Sequence, residues 1–286
     1  MNSSTSAAAP ESPSQADLAA VDTGPQLNIT VWGLTGVATA FFAVRLYCKL
    51  LRKRRLRWDD WVLAAGWTAL VISCAFQSAC VHYGLGLHGR FIKPENLDNL
   101  LFYSYAAGFA STLAAAWTKS SFAITLLSIS DGHTRHVVWF VLISVNVVLG
   151  LNATLQWVQC WPPGRQWHPG APGTCWLGSQ HSRAYNIFVA AYSGCADMVL
   201  AVVPWKILWH MKMRQAEKVA VLFVMSMGVF AGITSFLKIM SLDAIGNVDL
   251  ITTVNLFIFG TAEGAITIMA ASIPIVRALL YSDARQ

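Results

Sequence analysis

The sequence predicts an all-α membrane protein, a bundle of seven transmembrane helices with the N-terminus outside and the C-terminus inside. Three observations carry that prediction. Charged residues make up 12% of the chain and hydrophobic residues 55%, against about 25% charged in an ordinary globular domain. Long stretches hold no Asp, Glu, Lys or Arg. The remaining Lys and Arg residues fall unevenly on alternate loops. A soluble protein of this size needs more charge to cover its surface. The mean hydropathy of +0.50 also excludes a disordered chain, a coiled coil and a nucleic-acid-binding domain.

The elements follow in order. Residues 1–26 are rich in Ser, Ala, Pro and Gln and read as a disordered extracytoplasmic tail. No basic segment precedes an apolar core there, so no cleaved signal peptide is expected and the first span acts as its own signal. Residues 27–281 form the membrane domain, and 282–286 a short cytoplasmic tail. Five charge-free runs, 23–44, 61–89, 99–118, 136–164 and 219–237, hold 22, 29, 20, 29 and 19 residues. A spanning helix needs about 20 apolar residues. Two further runs are each broken by one acid: 184–205 by Asp197 and 250–276 by Glu263. The spans therefore lie near 29–50, 59–83, 99–129, 137–157, 184–209, 218–241 and 253–280. They are too long for barrel strands and do not alternate with period two. A helix satisfies its backbone within the segment, as lipid requires.

Orientation follows from the basic residues. With the N-terminus outside, the inner segments hold thirteen: Lys49, Arg52, Lys53, Arg54, Arg55, Arg57, Arg135, Lys206, Lys212, Arg214, Lys218, Arg277 and Arg285. The outer segments hold four, Arg90, Lys93, Arg165 and Arg183. That asymmetry marks the cytoplasmic side, and the six beside the first span also suit anionic lipid. Trp58, Trp61, Trp139, Trp205 and Trp209 fall near inner ends, and Trp157, Trp161, Trp167 and Trp176 near the outer face, as an aromatic belt. Trp67 and Trp117 lie within spans, where core packing is the ordinary role and lining a cavity the other.

Cys48, Cys74, Cys80 and Cys195 lie in spans and read as small apolar residues. Cys160 and Cys175 share the outer loop after span four, where a disulfide would close a Pro/Gly-rich segment. Their spacing does not suggest zinc, and no metal is expected. Asn2 and Asn28 match the glycosylation sequon, Asn28 close to the membrane. Asn152 matches it too, but within a span.

Ionisable residues at bilayer depth are costly unless paired, and each is a candidate site. Asp197 and Glu263 are candidate catalytic acids or bases. Lys119, Lys238 and His82 are candidate ligand-binding residues, His82 opening the run His82-Tyr-Gly84-Leu-Gly86-Leu-His88. Depth favours pairing Asp197 with Lys119 and Glu263 with Lys238; charge clamps that fix helix packing are the alternative role. Arg45 and the pair Asp59-Asp60 flank one inner loop and suit a salt bridge. Gly260 and Gly264, with Ala262, Ala265, Ala270 and Ala271, give span seven a close-packing face. Pro204 and Pro274 are expected to kink or end their helices. No Walker loop, dinucleotide fingerprint, HExxH or Ser-His-Asp arrangement is present.

These residues, in order, resemble the fungal rhodopsin-domain family of integral membrane proteins. The pieces are Arg45 and the basic loop into Asp59-Asp60; His82, Gly84, Gly86 and His88; Lys119; Cys160 and Pro162 through Trp167 to Cys175. Asn186, Asp197, Pro204, Lys206 and Trp209 follow, then Asp249, Thr252, Glu263 and Pro274. The chain departs from the family where Lys238 stands for a frequent Arg and Phe259 for a frequent Trp. It also lacks the long tail of receptor-like members. The resemblance extends to the membrane protein of the satratoxin gene cluster and to CFEM-type receptor-like proteins. It implies an endomembrane or plasma-membrane protein of fungal secondary-metabolite biosynthesis. Such a protein is an accessory protein or a cofactor-free cyclase or isomerase, with an apolar small molecule or pathway enzymes as partners beside the bilayer. A receptor-like sensor and a transporter are the other readings. A retinal Schiff base needs a Lys deep in the last span, and 253–280 contains none, so neither retinal nor another cofactor is expected.

Overall fold

The computed structural model describes residues 23–51, 57–86, 94–128, 130, 132–168, 170, 172–209, 215–244 and 250–283; side chains are described except at 94, 179, 204–225, 241–252 and 274–283. Seven long helices run through them: α1 (Gly24–Leu51), α2 (Trp58–His82), α3 (Pro94–Leu127), α4 (Gly132–Val158), α5 (Ser179–Trp209), α6 (Gln215–Ala244) and α7 (Leu250–Asp283). Several begin before the charge-free runs do, α3 already at Pro94. A charge at the membrane edge ends an apolar run without ending backbone hydrogen bonding. α5 continues through Pro204 and α7 through Pro274, so neither proline ends its helix.

Among the described residues, six of the helices are long and apolar enough to cross a membrane: α1, α2, α3, α4, α5 and α7. Within α6 the described apolar stretch is shorter, Ser226–Met240. The chain is thus a multi-pass membrane protein. Its helices pack around α3, which touches α2, α4, α5 and α7, and α1 closes the ring against α7 and α2. Burial is steepest in α7, where 72% of the most apolar window is buried, against 28% in α1 and α4. The outer faces of α1, α4 and α6 instead show Ile29, Phe140, Val147, Phe236 and Met240 to the surroundings. Such a surface fits lipid rather than water.

Small residues bring the helices together. α3 buries Ala106, Ala107, Ala110, Ala114, Ala115, Ala116 and Ala123, and α7 buries Ala262, Ala265, Ala270 and Ala271. A Cβ on Gly66 of α2 would lie 2.8 Å from Thr118 Cγ2 of α3, and one on Gly264 of α7 would lie 3.1 Å from Leu70 Cδ1. This is the packing expected without a hydrophobic drive between helices in lipid. Trp67 stacks on Phe42, with centroids 5.7 Å apart, and donates to Thr39 Oγ1 at 2.9 Å. Trp117 packs on the same core. Both act in packing.

One end of the bundle carries the turn after α2. Gly84 and Gly86 have φ of 107° and 105°, which side-chain-bearing residues rarely adopt. A Cβ on Gly86 would lie 2.4 Å from Gly24 N, and Thr23 N and Oγ1 both donate to Gly86 O. The glycines of the His82–His88 run thus seat the start of α1 on the end of α2; His88 lies outside the described residues. At the same end, β1 (Cys160–Trp161) pairs antiparallel with β2 (Thr174–Cys175), Cys160 opposite Cys175. These two cysteines form the expected disulfide.

Candidate functional site

Helix periodicity gathers the polar residues of the interior. Ser193 and Asp197 are one turn apart on α5, so they share a face. Opposite them stands Lys119 of α3, 1% exposed. Its Nζ lies 2.9 Å from Asp197 Oδ2 and 2.7 Å from Glu263 Oε1. It also donates to Ser193 Oγ and, at 3.1 Å, to Ser193 O. Ser193 Oγ in turn donates to Glu263 Oε1 at 2.8 Å. Lys238 Nζ of α6 reaches Glu263 Oε2 at 2.5 Å. Both pairs expected from depth are present, and a third, Lys119 with Glu263, joins them. Two ammoniums and two carboxylates cancel, as burial of charge demands.

A cavity of about 170 Å³ adjoins this network. Lys238, Glu263 and Ser193 form its polar floor, and Asn152, Gln156 and Asn186 contribute amides to its walls. Leu149, Val189 and Phe257 supply apolar surface. The two candidate acids therefore differ in placement. Glu263 faces the cavity, whereas Asp197 is not among the described residues that line it. Asp197 stands behind Lys119 and orients it. Ser193 and Gln156 are not singled out by the sequence, and Asn152 reads there as a chance sequon. Their spacing, Asn152 to Gln156 and Asn186 to Ser193, is the available signal, for it places each pair on one helix face.

His82 stands apart from the network. It is exposed at the end of α2, its ring edge-on to Tyr83 with centroids 5.5 Å apart. Asn28 lies within α1 and accepts a 2.7 Å hydrogen bond from Ser78. Asn2 lies outside the described residues. Asn152 is buried in α4.

A second ionic cluster occupies the opposite end from the disulfide. Arg45 is fully buried. It donates to Asp59 Oδ2 at 2.7 Å, to Asp60 Oδ1 at 3.0 Å and to Ala271 O at 2.5 Å. Lys49 Nζ lies 2.6 Å from both Asp60 oxygens. Ala271 sits in the turn before Pro274, a residue with no N–H to give the helix ladder. Asp60 Oδ2 also accepts from Arg57 N at 3.1 Å, closing the start of α2. The sequence counts Lys49 with the basic residues of the first inner loop; the structure buries it to 6% exposure, because Asp60 lies within reach across α1 and α2. Twelve of the basic residues expected inside then remain against four expected outside.

Among the described residues no group of three or more His, Cys, Asp or Glu could hold a metal ion. A family model described as fungal rhodopsin domain matches residues 44–282. No curated protein and no solved structure matches the chain.

Proposed function

The chain belongs to the fungal rhodopsin domain family, and on that premise we propose that it binds a small molecule between its helices and moves a proton on it. The observation that supports this is the placement of Lys238 and Glu263 together on the floor of the cavity. Ionisable groups at membrane depth that face a cavity, rather than only each other, are poised to meet a ligand. Lys238 is the cationic donor for a carbonyl or enolate oxygen. Glu263 is the carboxylate that takes or returns a proton beside it. Lys119, Ser193 and Asp197 hold Glu263 in place. Such a pair suits isomerisation or cyclisation without a cofactor, and α7 carries no Lys that could hold retinal as a Schiff base.

The setting proposed is a fungal secondary-metabolite cluster, in an endomembrane or the plasma membrane, as for the satratoxin-cluster and CFEM-type proteins the sequence resembles. Seven spans, N-terminus outside, complete the reading. What supports the seventh span is the helical course of α6 between α5 and α7.

The test is a metabolite comparison in the source organism, with wild type, Glu263→Gln and Asp197→Asn at equal membrane levels. Glu263→Gln is expected to remove or divert at least one product, and Asp197→Asn to have the smaller effect. Unchanged products in Glu263→Gln overturn the chemistry and leave a receptor-like or accessory binding role.

A further inference from the structure

We infer that the cavity takes a small oxygenated molecule of about one ring, with a carbonyl or anionic oxygen at one end and a hydroxyl donor at the other. The inference rests on the reading of the cavity as a ligand site. Size comes first. A cavity of about 170 Å³ is close to the roughly 150 Å³ that encloses benzene. It is well below the 300 Å³ or more of sites for drug-sized ligands.

The two ends ask for different chemistry. At the floor, the Lys238 side chain is 19% exposed while Glu263 is 1% exposed, so lysine is the more open partner of the pair. An ammonium has three donors, and its bond to Glu263 Oε2 uses one. A ligand arriving there must accept hydrogen bonds, and an amine would be repelled. Gln156 also lines the space, and its Oε1 is buried with no hydrogen-bond partner. Its amide lies against Gly108, where a Cβ would be 3.0 Å from Gln156 Nε2. An acceptor left unsatisfied in the interior costs about 1–3 kcal/mol, so a ligand that donates a hydrogen bond gains there once the Gln156 side chain turns its oxygen toward the cavity. Gln156 belongs to the disulfide end of α4, one residue from Trp157. Leu149, two turns earlier on α4, lies about 10 Å deeper. Leu149, Val189 and Phe257 line the space with apolar surface. An oxygen for the ammonium, an apolar body and a hydroxyl for Gln156 together describe a hydroxyaryl or hydroxyalkyl carbonyl compound. A hydrocarbon would pair with neither the remaining donors of the Lys238 ammonium nor the Gln156 oxygen.

The experiment uses four one-ring probes on the full chain in nanodiscs, read by ligand-detected NMR against empty nanodiscs. They are 4-hydroxyacetophenone, 4-methoxyacetophenone, 4-methylphenol and p-xylene. The first is expected to bind about fivefold to tenfold tighter than either probe lacking one group, and p-xylene weakest. Gln156→Leu should erase the difference between hydroxy and methoxy ketones. Lys238→Met should erase the difference between the hydroxy ketone and 4-methylphenol. Equal binding of p-xylene, binding of none of the four, or preferences that survive both substitutions would overturn the inference. The wild-type comparison stands even if a variant fails to fold. Absence of these preferences in the wild-type chain, with a changed metabolite profile in Glu263→Gln, refutes the ligand class alone. Intact preferences with an unchanged profile refute the proton transfer alone.

Discussion

Lys119 holds the intramembrane network together, because it is the cation shared by both acids. Its Nζ is the described cation on Asp197 and one of two on Glu263. Lys119→Met would leave two buried carboxylates facing one ammonium. Breaking a buried pair by removing one partner costs about 3–5 kcal/mol, and the loss should appear as a lower melting temperature in nanodiscs. Lys119→Met with Asp197→Leu removes a charge of each sign and leaves the neutral Lys238–Glu263 pair with Ser193. That double variant should be more stable than the single one, although it carries two changes. A double variant no better than Lys119→Met would show that Asp197 is held by something other than Lys119. At this scale the sequence goes far. Scarcity of charge in the spans singles out Lys119, Asp197, Lys238 and Glu263, and depth along each span pairs them. Depth says nothing of helix rotation, so the contact of Lys119 with Glu263 is not legible, nor which acid faces the cavity. Gln156 is illegible for a plainer reason: a glutamine near a span end is unremarkable until its helix face is known.

Between elements, close approach is set by residues without bulk. Gly228 of α6 faces Ala201 of α5, and a Cβ added at Gly228 would lie 2.2 Å from the Ala201 Cβ. Gly228→Ala therefore forces the two helices apart, and overpacking of this kind costs about 1–3 kcal/mol. Ala201→Gly in the same chain reopens the space and should recover most of the loss. A melting temperature for Gly228→Ala that equals wild type would mean that α5 and α6 do not approach this closely. Because α6 supplies Lys238, the single variant should also weaken binding of any ligand that uses the ammonium. Small residues on α7 are visible in the sequence as Gly260, Gly264 and the alanines. Which neighbour each one meets is not, since the contact partners lie far off in sequence. The turn glycines are a similar case: a GxG run suggests a site, whereas Gly84 and Gly86 serve the backbone and the seating of α1.

For the whole molecule, two independent signals favour one orientation. The basic residues favour the Arg45 end as cytoplasmic, with Lys49 removed from the count by its burial. The disulfide gives the second signal, for such bonds persist in oxidising compartments. Its loop is tied to α3 near the start of that helix, His168 Nδ1 lying 2.7 Å from Asp98 Oδ2 and Trp167 packing on Phe102 at 5.4 Å. Tyr103 stacks on Tyr83 at the end of α2, 5.4 Å between centroids, and the turn after Tyr83 carries the start of α1. The disulfide and the N-terminus of α1 therefore share one end, which neither sequence signal states by itself. If that end is oxidising, the N-terminus is outside the cytoplasm, and seven crossings put the C-terminus within it. An epitope placed before Met1 should stay hidden from antibody in digitonin-treated cells if the protein resides in an endomembrane. It should be reached in intact cells if the protein resides in the plasma membrane. An epitope after Gln286 should be reached in digitonin-treated cells in both cases and in intact cells in neither. Both epitopes on the same side would reduce the crossings to an even number and remove α6 as a span, since α6 is the helix whose described apolar stretch is short. Lys238 would then lie outside the bilayer. The cavity floor would open to water there, and the argument that its charges are held for a ligand by lipid and protein alone would fail with the topology.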